Sequence, residues 1–165
     1  MSSSSSCEVA PQLQPLAWLL GKWRSDEGQA VYPTMKLFPY QEELEFFQTG
    51  QPNIQFNFNS CNPENKKPMH KETGFIRIDP TSNKVAFMFA MNIGLCSLEE
   101  GTVDGQCIVL QSKNVNRMSF GKEPETRKIC RRFELKDGVL KQTVQMETST
   151  TALQEHLSVT YRRVE

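Results

Sequence analysis

Two histidines are the residues of this chain with the widest chemical reach. His70 stands in Lys67-Pro-Met-His-Lys-Glu72 and His156 in Glu155-His-Leu-Ser158. A neutral imidazole can ligate a metal or pass a proton near neutral pH, although spacing alone equally fits a histidine on the surface or in a turn. Other chemistries find less support. There is no G-x-x-x-x-G-K-[ST] or G-x-G-x-x-G phosphate loop and no G-x-S-x-G elbow. Cys7, Cys61, Cys96, Cys107 and Cys130 form no C-x-x-C and no local Cys–His pair. That argues against a zinc cluster, a thiol nucleophile and a secreted disulfide framework. Glu42, Glu43 and Glu45 read as decoration of a polar strand face rather than paired acids. Arg127, Lys128, Arg131 and Arg132 alternate with Ile129, Cys130 and Phe133, as a solvated strand should. Met69, Met88, Met91, Met118 and Met146 suit either core filling or an adaptable pocket wall.

The elements that must position these residues are short strands. Turn signals recur at Gly50-Gln-Pro52, Asn62-Pro63, Asp79-Pro80, Asp104-Gly105 and Asp137-Gly138. Between them, Ile54, Phe56 and Phe58 alternate with Gln55, Asn57 and Asn59, while Leu140, Val144 and Met146 share a face opposite Lys141, Thr143 and Gln145. Val85, Phe87, Phe89 and Met91 oppose Ala86, Met88 and Ala90, a strand expected to be buried on both faces. A last strand is expected from His156 to Val164. Leu13 to Leu20 is the one good helix candidate, with Pro15 in its first turn and Gly21 as its stop. About ten such strands predict an all-β antiparallel barrel with a short N-terminal helix, because closure removes exposed edges. A barrel of that size can hold a ligand. The 165 residues suit one domain. The expected division is a disordered Ser-rich leader over 1–12 and a barrel over 13–165. The 19 basic and 19 acidic residues cancel, so broad electrostatic binding to nucleic acid is not expected. No apolar run approaches the ~20 residues of a membrane helix. No secretory signal is read at the N-terminus, so the expected location is the cytoplasm, with the nucleus also open.

Several stretches together resemble the nitrobindins, small haem-binding β-barrels that also form the C-terminal domain of an animal THAP-type zinc-finger protein. They are Pro15-Leu-Ala-Trp-Leu-Leu-Gly-Lys-Trp23, Tyr32-Pro-Thr34, Phe38-Pro-Tyr-Gln-Glu-Glu43, Lys67-Pro-Met-His-Lys-Glu-Thr-Gly-Phe-Ile-Arg77, Asn83-Lys-Val-Ala-Phe87, Glu99-Glu-Gly101 and Glu155-His-Leu-Ser-Val-Thr-Tyr161. They span the chain from about Leu13 onward in family order. The resemblance implies a barrel similar to fatty-acid-binding proteins and lipocalins, holding a non-covalent b-type haem with ferric iron. It implies His156 as the axial iron ligand and therefore the residue acting in catalysis. Thr34, Met69 and His70 would border the haem, with His70 not a ligand, and Met91 and Met146 are expected beside them as pocket-wall methionines. It further implies an enzyme, a peroxynitrite isomerase that forms nitrate and also binds nitric oxide. A homodimer is compatible with it, whereas DNA binding does not transfer, since no THAP finger is present.

Two departures from the family pattern stand out. In the signature G-x-W-x-G-x-G, Gly21 and Trp23 match, but Ser25 and Glu27 replace the later glycines. Met91 stands where many relatives carry glutamine. The rival expectation is a carrier of fatty acids or other apolar ligands, which needs no inward His156; a pure interaction domain is a third. One conflict concerns parity. Strict alternation that turns His156 inward also turns Ser158 and Thr160 inward and Leu157, Val159 and Tyr161 outward; a bulge, a wet cavity lining or an outer face packed against a neighbour would each account for it.

Overall fold

The computed structural model describes residues 8–25 and 40–164. Ten antiparallel strands close into one barrel: β1 (Gly21–Ser25), β2 (Gln41–Gln48), β3 (Ile54–Cys61), β4 (Pro68–Ile78), β5 (Lys84–Met91), β6 (Leu95–Asp104), β7 (Cys107–Arg117), β8 (Thr126–Lys136), β9 (Val139–Thr148) and β10 (Gln154–Arg163). Each strand pairs with its neighbours in sequence, and β1 pairs with β10 to complete the ring. The alternation seen in sequence sets which side chains enter. Leu44 and Phe46, Ile54, Phe56 and Phe58, and Val85, Phe87 and Phe89 are buried, while the residues alternating with them face out. The outer face of β5 is not covered as expected: Ala86 and Met88 are half-buried and Ala90 is exposed. Among the described residues no second layer packs on the outside of the barrel there. Close strand approach dictates Gly74 and Gly101. A Cβ at Gly74 would lie 1.9 Å from the Met88 carbonyl oxygen, and one at Gly101 1.7 Å from that of Val109.

One end of the barrel is sealed. The helix is a 3₁₀ helix over Pro11–Leu19 that buries Leu13, Leu16 and Leu19. Their spacing of three matches the three residues per turn of that helix, so all three share one face. Glu8 to Gln12, assigned to the leader from sequence, are therefore structured: the Ala10 N–H donates to Gln48 Oε1 at 2.9 Å. At the helix C-terminus Trp23 Nε1–H donates to the Leu19 carbonyl at 2.8 Å, and Arg163 donates to the carbonyls of Trp18 and Leu20 while lying over the Trp23 ring. Behind the helix, Phe46, Phe56, Phe58, Phe87 and Phe133 interlock, with ring centroids 4.7 Å apart for Phe56–Phe58 and 5.8 Å for Phe87–Phe133. These are favourable tilted and offset ring contacts.

Candidate functional site

Further along the same strands the interior changes character. Continuing past the phenylalanines, the inward rows place Glu42 on β2, Glu72 on β4, Glu99 on β6, Arg131 on β8, Gln142 on β9 and Tyr161 on β10, all buried. This corrects two expectations. Glu43 and Glu45 do face outward, but Glu42 has the parity of Leu44 and Phe46 and points in. Arg132 is exposed, whereas Arg131 has the parity of Ile129 and Phe133 and is buried. A strand's polar residues look alike in sequence, and only the register relative to its apolar row separates inner from outer.

Burying these groups is tolerable because they satisfy one another. Arg131 donates through Nη2 to Glu72 Oε1 at 2.7 Å and through Nε to Glu99 Oε2 at 3.1 Å, and its guanidinium carbon lies 5.0 Å from the Phe89 ring centroid. Tyr161 Oη lies 2.7 Å from Glu42 Oε2 and 2.8 Å from Gln142 Oε1. Ser25 Oγ accepts the Glu42 N–H at 2.8 Å. The serine that replaces a family glycine thus seats Glu42. Burial pushes the Glu42 carboxyl above its ordinary range, hydrogen bonds from Tyr161 and Tyr40 offset part of that, and the charge of Glu72 adds to it. Burial also pushes Glu72 upward, but the adjacent Arg131 and His70 outweigh it and hold Glu72 below the usual carboxylate range. Glu99 is raised by burial, with Arg131 opposing.

Above this polar floor lies a cavity of about 310 Å³, at the lower limit of the ~300–1,000 Å³ typical of small-molecule and cofactor sites. Its walls carry Met69, Met91, Ile93, Leu95, Ile129, Val144, Met146 and Leu157, and both histidines open into it. The structure therefore brings five of the six residues expected at the site, Met69, His70, Met91, Met146 and His156, around one space. Thr34 lies outside the described residues. Met88 and Met118 are elsewhere, Met118 packing against Gly94.

Each histidine enters beside a β-bulge. On β10, Glu155 pairs with Gln145 and Leu157 with Val144, leaving His156 as an extra residue. His156 and Leu157 can then both face the cavity, and beyond the bulge Val159 and Tyr161 are buried as well. This removes the parity conflict: Ser158 and Thr160 do not share the inward row. On β4, Lys71 pairs with Asn59 and Pro68 with Cys61, so Met69 and His70 together oppose Ser60. Ser60 Oγ accepts the His70 N–H at 2.9 Å and lies 3.1 Å from the His70 carbonyl oxygen, to which it donates. Bulges re-aim side chains in this way near functional sites. His70 Nε2 lies 3.3 Å from Glu72 Oε2. Burial, reinforced by the nearby His70, pushes the His156 imidazole down, which favours the neutral form that coordinates metals.

The donor set suits one kind of metal group. Among the described residues no cluster of three or more His, Cys, Asp or Glu could hold a bare ion. A single neutral imidazole in an apolar cavity fits an iron whose remaining equatorial ligands come from a porphyrin.

Comparisons with known proteins agree with this geometry. A family profile described as "THAP4-like, heme-binding beta-barrel domain" matches residues 12–163. The chain is 47% identical over 159 residues to the human protein named "Peroxynitrite isomerase THAP4", covering 95% of this chain and 28% of that protein's length. It is 40% identical over 151 residues to an Arabidopsis thaliana protein also named as a peroxynitrite isomerase, covering 90% of this chain and 87% of that one. The crystal structure of Rv2717c from M. tuberculosis superposes with a TM-score of 0.82 at 28% identity, covering 96% of this chain and 100% of that chain.

Proposed function

This chain belongs to the THAP4-like haem-binding β-barrel family, and on that premise we propose that it holds a ferric b-type haem through His156 and isomerises peroxynitrite to nitrate. The observation that carries the reading is the bulge on β10, which turns a neutral imidazole into an apolar-walled cavity. The names of its relatives in human and Arabidopsis point to the same reaction. When bound, the haem supplies the iron at which the O–O bond of peroxynitrite rearranges.

The chain's own residues do the rest. His156 would supply the imidazole that holds the iron. Met69, Met91 and Met146 offer a soft, flexible wall that can adapt to a flat macrocycle. That wall would keep water away from a bound anion. Nitric oxide is a second small ligand such a site would take.

A fatty-acid carrier needs a cation to receive the ligand carboxylate. Arg131 is the only cationic side chain buried among the described residues, and Glu72 and Glu99 already engage it. The barrel floor is thus poorly suited to that rival. Haem titration and stopped-flow peroxynitrite decay with anion analysis test the proposal. The haem-loaded protein should accelerate decay with nitrate as product, and His156→Ala should lower haem affinity at least ~10-fold, about 1.4 kcal/mol. Equal decay with and without bound haem would sink the enzyme reading.

A further inference from the structure

Both imidazoles open into the cavity, and a buried carboxylate engages His70. His70 Nε2 meets Glu72 Oε2, while the other oxygen of Glu72 takes Arg131, which in turn holds Glu99. Glu72, Glu99 and Arg131 are each less than a tenth exposed, so the chain Glu99–Arg131–Glu72–His70 is a built arrangement running from the barrel interior to the cavity wall. An ionised carboxylate accepts only, so the shared proton resides on His70 Nε2. The backbone of His70 is fixed as well, by its two-way hydrogen bonding with Ser60 Oγ.

We propose that Glu72 is a positioning residue that keeps His70 off the iron: by engaging Nε2–H it occupies the nitrogen of longest reach and leaves His156 as the single protein ligand. This rests on the haem reading above and supplies the reason that two histidines in one cavity do not both coordinate. Outer-sphere partners set imidazole tautomer and orientation in metal sites in the same manner. Here the partner acts on the histidine that must stay free. An open iron face then remains for an anion.

The test uses the haem-loaded full chain and the haem-free protein. Wild-type ferric protein should give the high-spin electronic and electron paramagnetic resonance spectra of one axial imidazole. Glu72→Ala should convert most of the iron to the low-spin form of two imidazoles, and adding His70→Leu should restore the wild-type spectrum. A folded Glu72→Ala protein that stays high-spin overturns the proposal.

Because that variant removes one of the two carboxylates that hold Arg131, Glu72→Gln provides a second reading without haem. Its carbonyl oxygen keeps Arg131, so its amide N–H must face His70 and reverse the hydrogen bond. Nitrogen-15 spectra above the imidazole titration should show His70 protonated at Nε2 in the wild type and at Nδ1 in Glu72→Gln. A wild-type His70 protonated at Nδ1 would also overturn the proposal. Failure of the haem reading is distinguishable, since it shows as a wild-type protein whose spectrum does not depend on His156.

Discussion

At the sealed end of the barrel, Phe46, Phe56, Phe58, Phe87 and Phe133 fill the interior beneath the 3₁₀ helix, and pairing follows a regular register. A few residues along the same strands, the inward positions hold three glutamates, an arginine, a glutamine and a tyrosine, and the ladder on β4 and β10 slips by one residue beside each histidine. The two ends share backbone, twist and neighbours. They differ in what they are asked to exclude. The sealed end excludes everything, so apolar packing alone suffices there. The open end must admit a ligand while preventing collapse of the cavity, and a cross-linked polar floor does that where further phenylalanines would fill the space. Such a floor gains rigidity at the cost of desolvation, and a buried ion pair is not by itself evidence of extra stability.

Phe56→Ala probes the sealed end and should have the largest effect, about 3–5 kcal/mol of lost stability, because a fully buried ring leaves a cavity among close-packed neighbours. Urea unfolding measures it. The comparison predicts that haem affinity at native conditions changes little, since Phe56 belongs to the plug; a large affinity loss with modest destabilisation would show that the two ends are one unit.

Glu42→Gln sharpens the comparison through pH. Glu42 is raised by burial above an ordinary value of 4.5. Its contribution is therefore fully present below its unfolded-state value and is lost as pH rises through the raised folded value. The neutral isostere lacks this loss. Melting temperatures should place Glu42→Gln progressively higher relative to wild type as pH rises above the ordinary carboxylate value of 4.5. A difference that is flat or shrinks with pH contradicts a neutral carboxyl in the floor.

Met146→Ala should have the smallest effect on stability, under about 1 kcal/mol, because this half-buried side chain already borders open space and its removal creates little new void. Its effect should appear in haem retention. If thermal unfolding instead shows a loss comparable to that of Phe56→Ala, the open end is packed like the sealed one.

The barrel, its strand count and its leading helix were legible because alternation and turn residues are local signals. So was the identity of the cavity-lining methionines and histidines, through family resemblance rather than pattern. The polar floor was not. Glu42 stands beside Glu43, and Arg131 beside Arg132; a single step in register separates a buried charge from a solvated one. One signal was available: Arg131 falls on the row of Ile129 and Phe133, and Glu42 on that of Leu44 and Phe46. The bulges were legible only as a conflict, since Val159 and Tyr161 claimed the inward parity that His156 also needed. The helix type was recoverable from the spacing of Leu13, Leu16 and Leu19, which fits a threefold period.

The pairing of β1 with β10 also determines how this barrel can be joined to other protein. Trp23 lies opposite Arg163, the Val164 N–H donates to the Lys22 carbonyl, and Ala10 is fastened to Gln48 on the sealed side. Ala10 and Val164, near the two ends of the described residues, thus both lie at the plug, away from the cavity. The described chain enters the barrel at Ala10 and leaves it at Val164 on the sealed side. The barrel is in this sense a cassette, transferable between longer chains with its chamber left open.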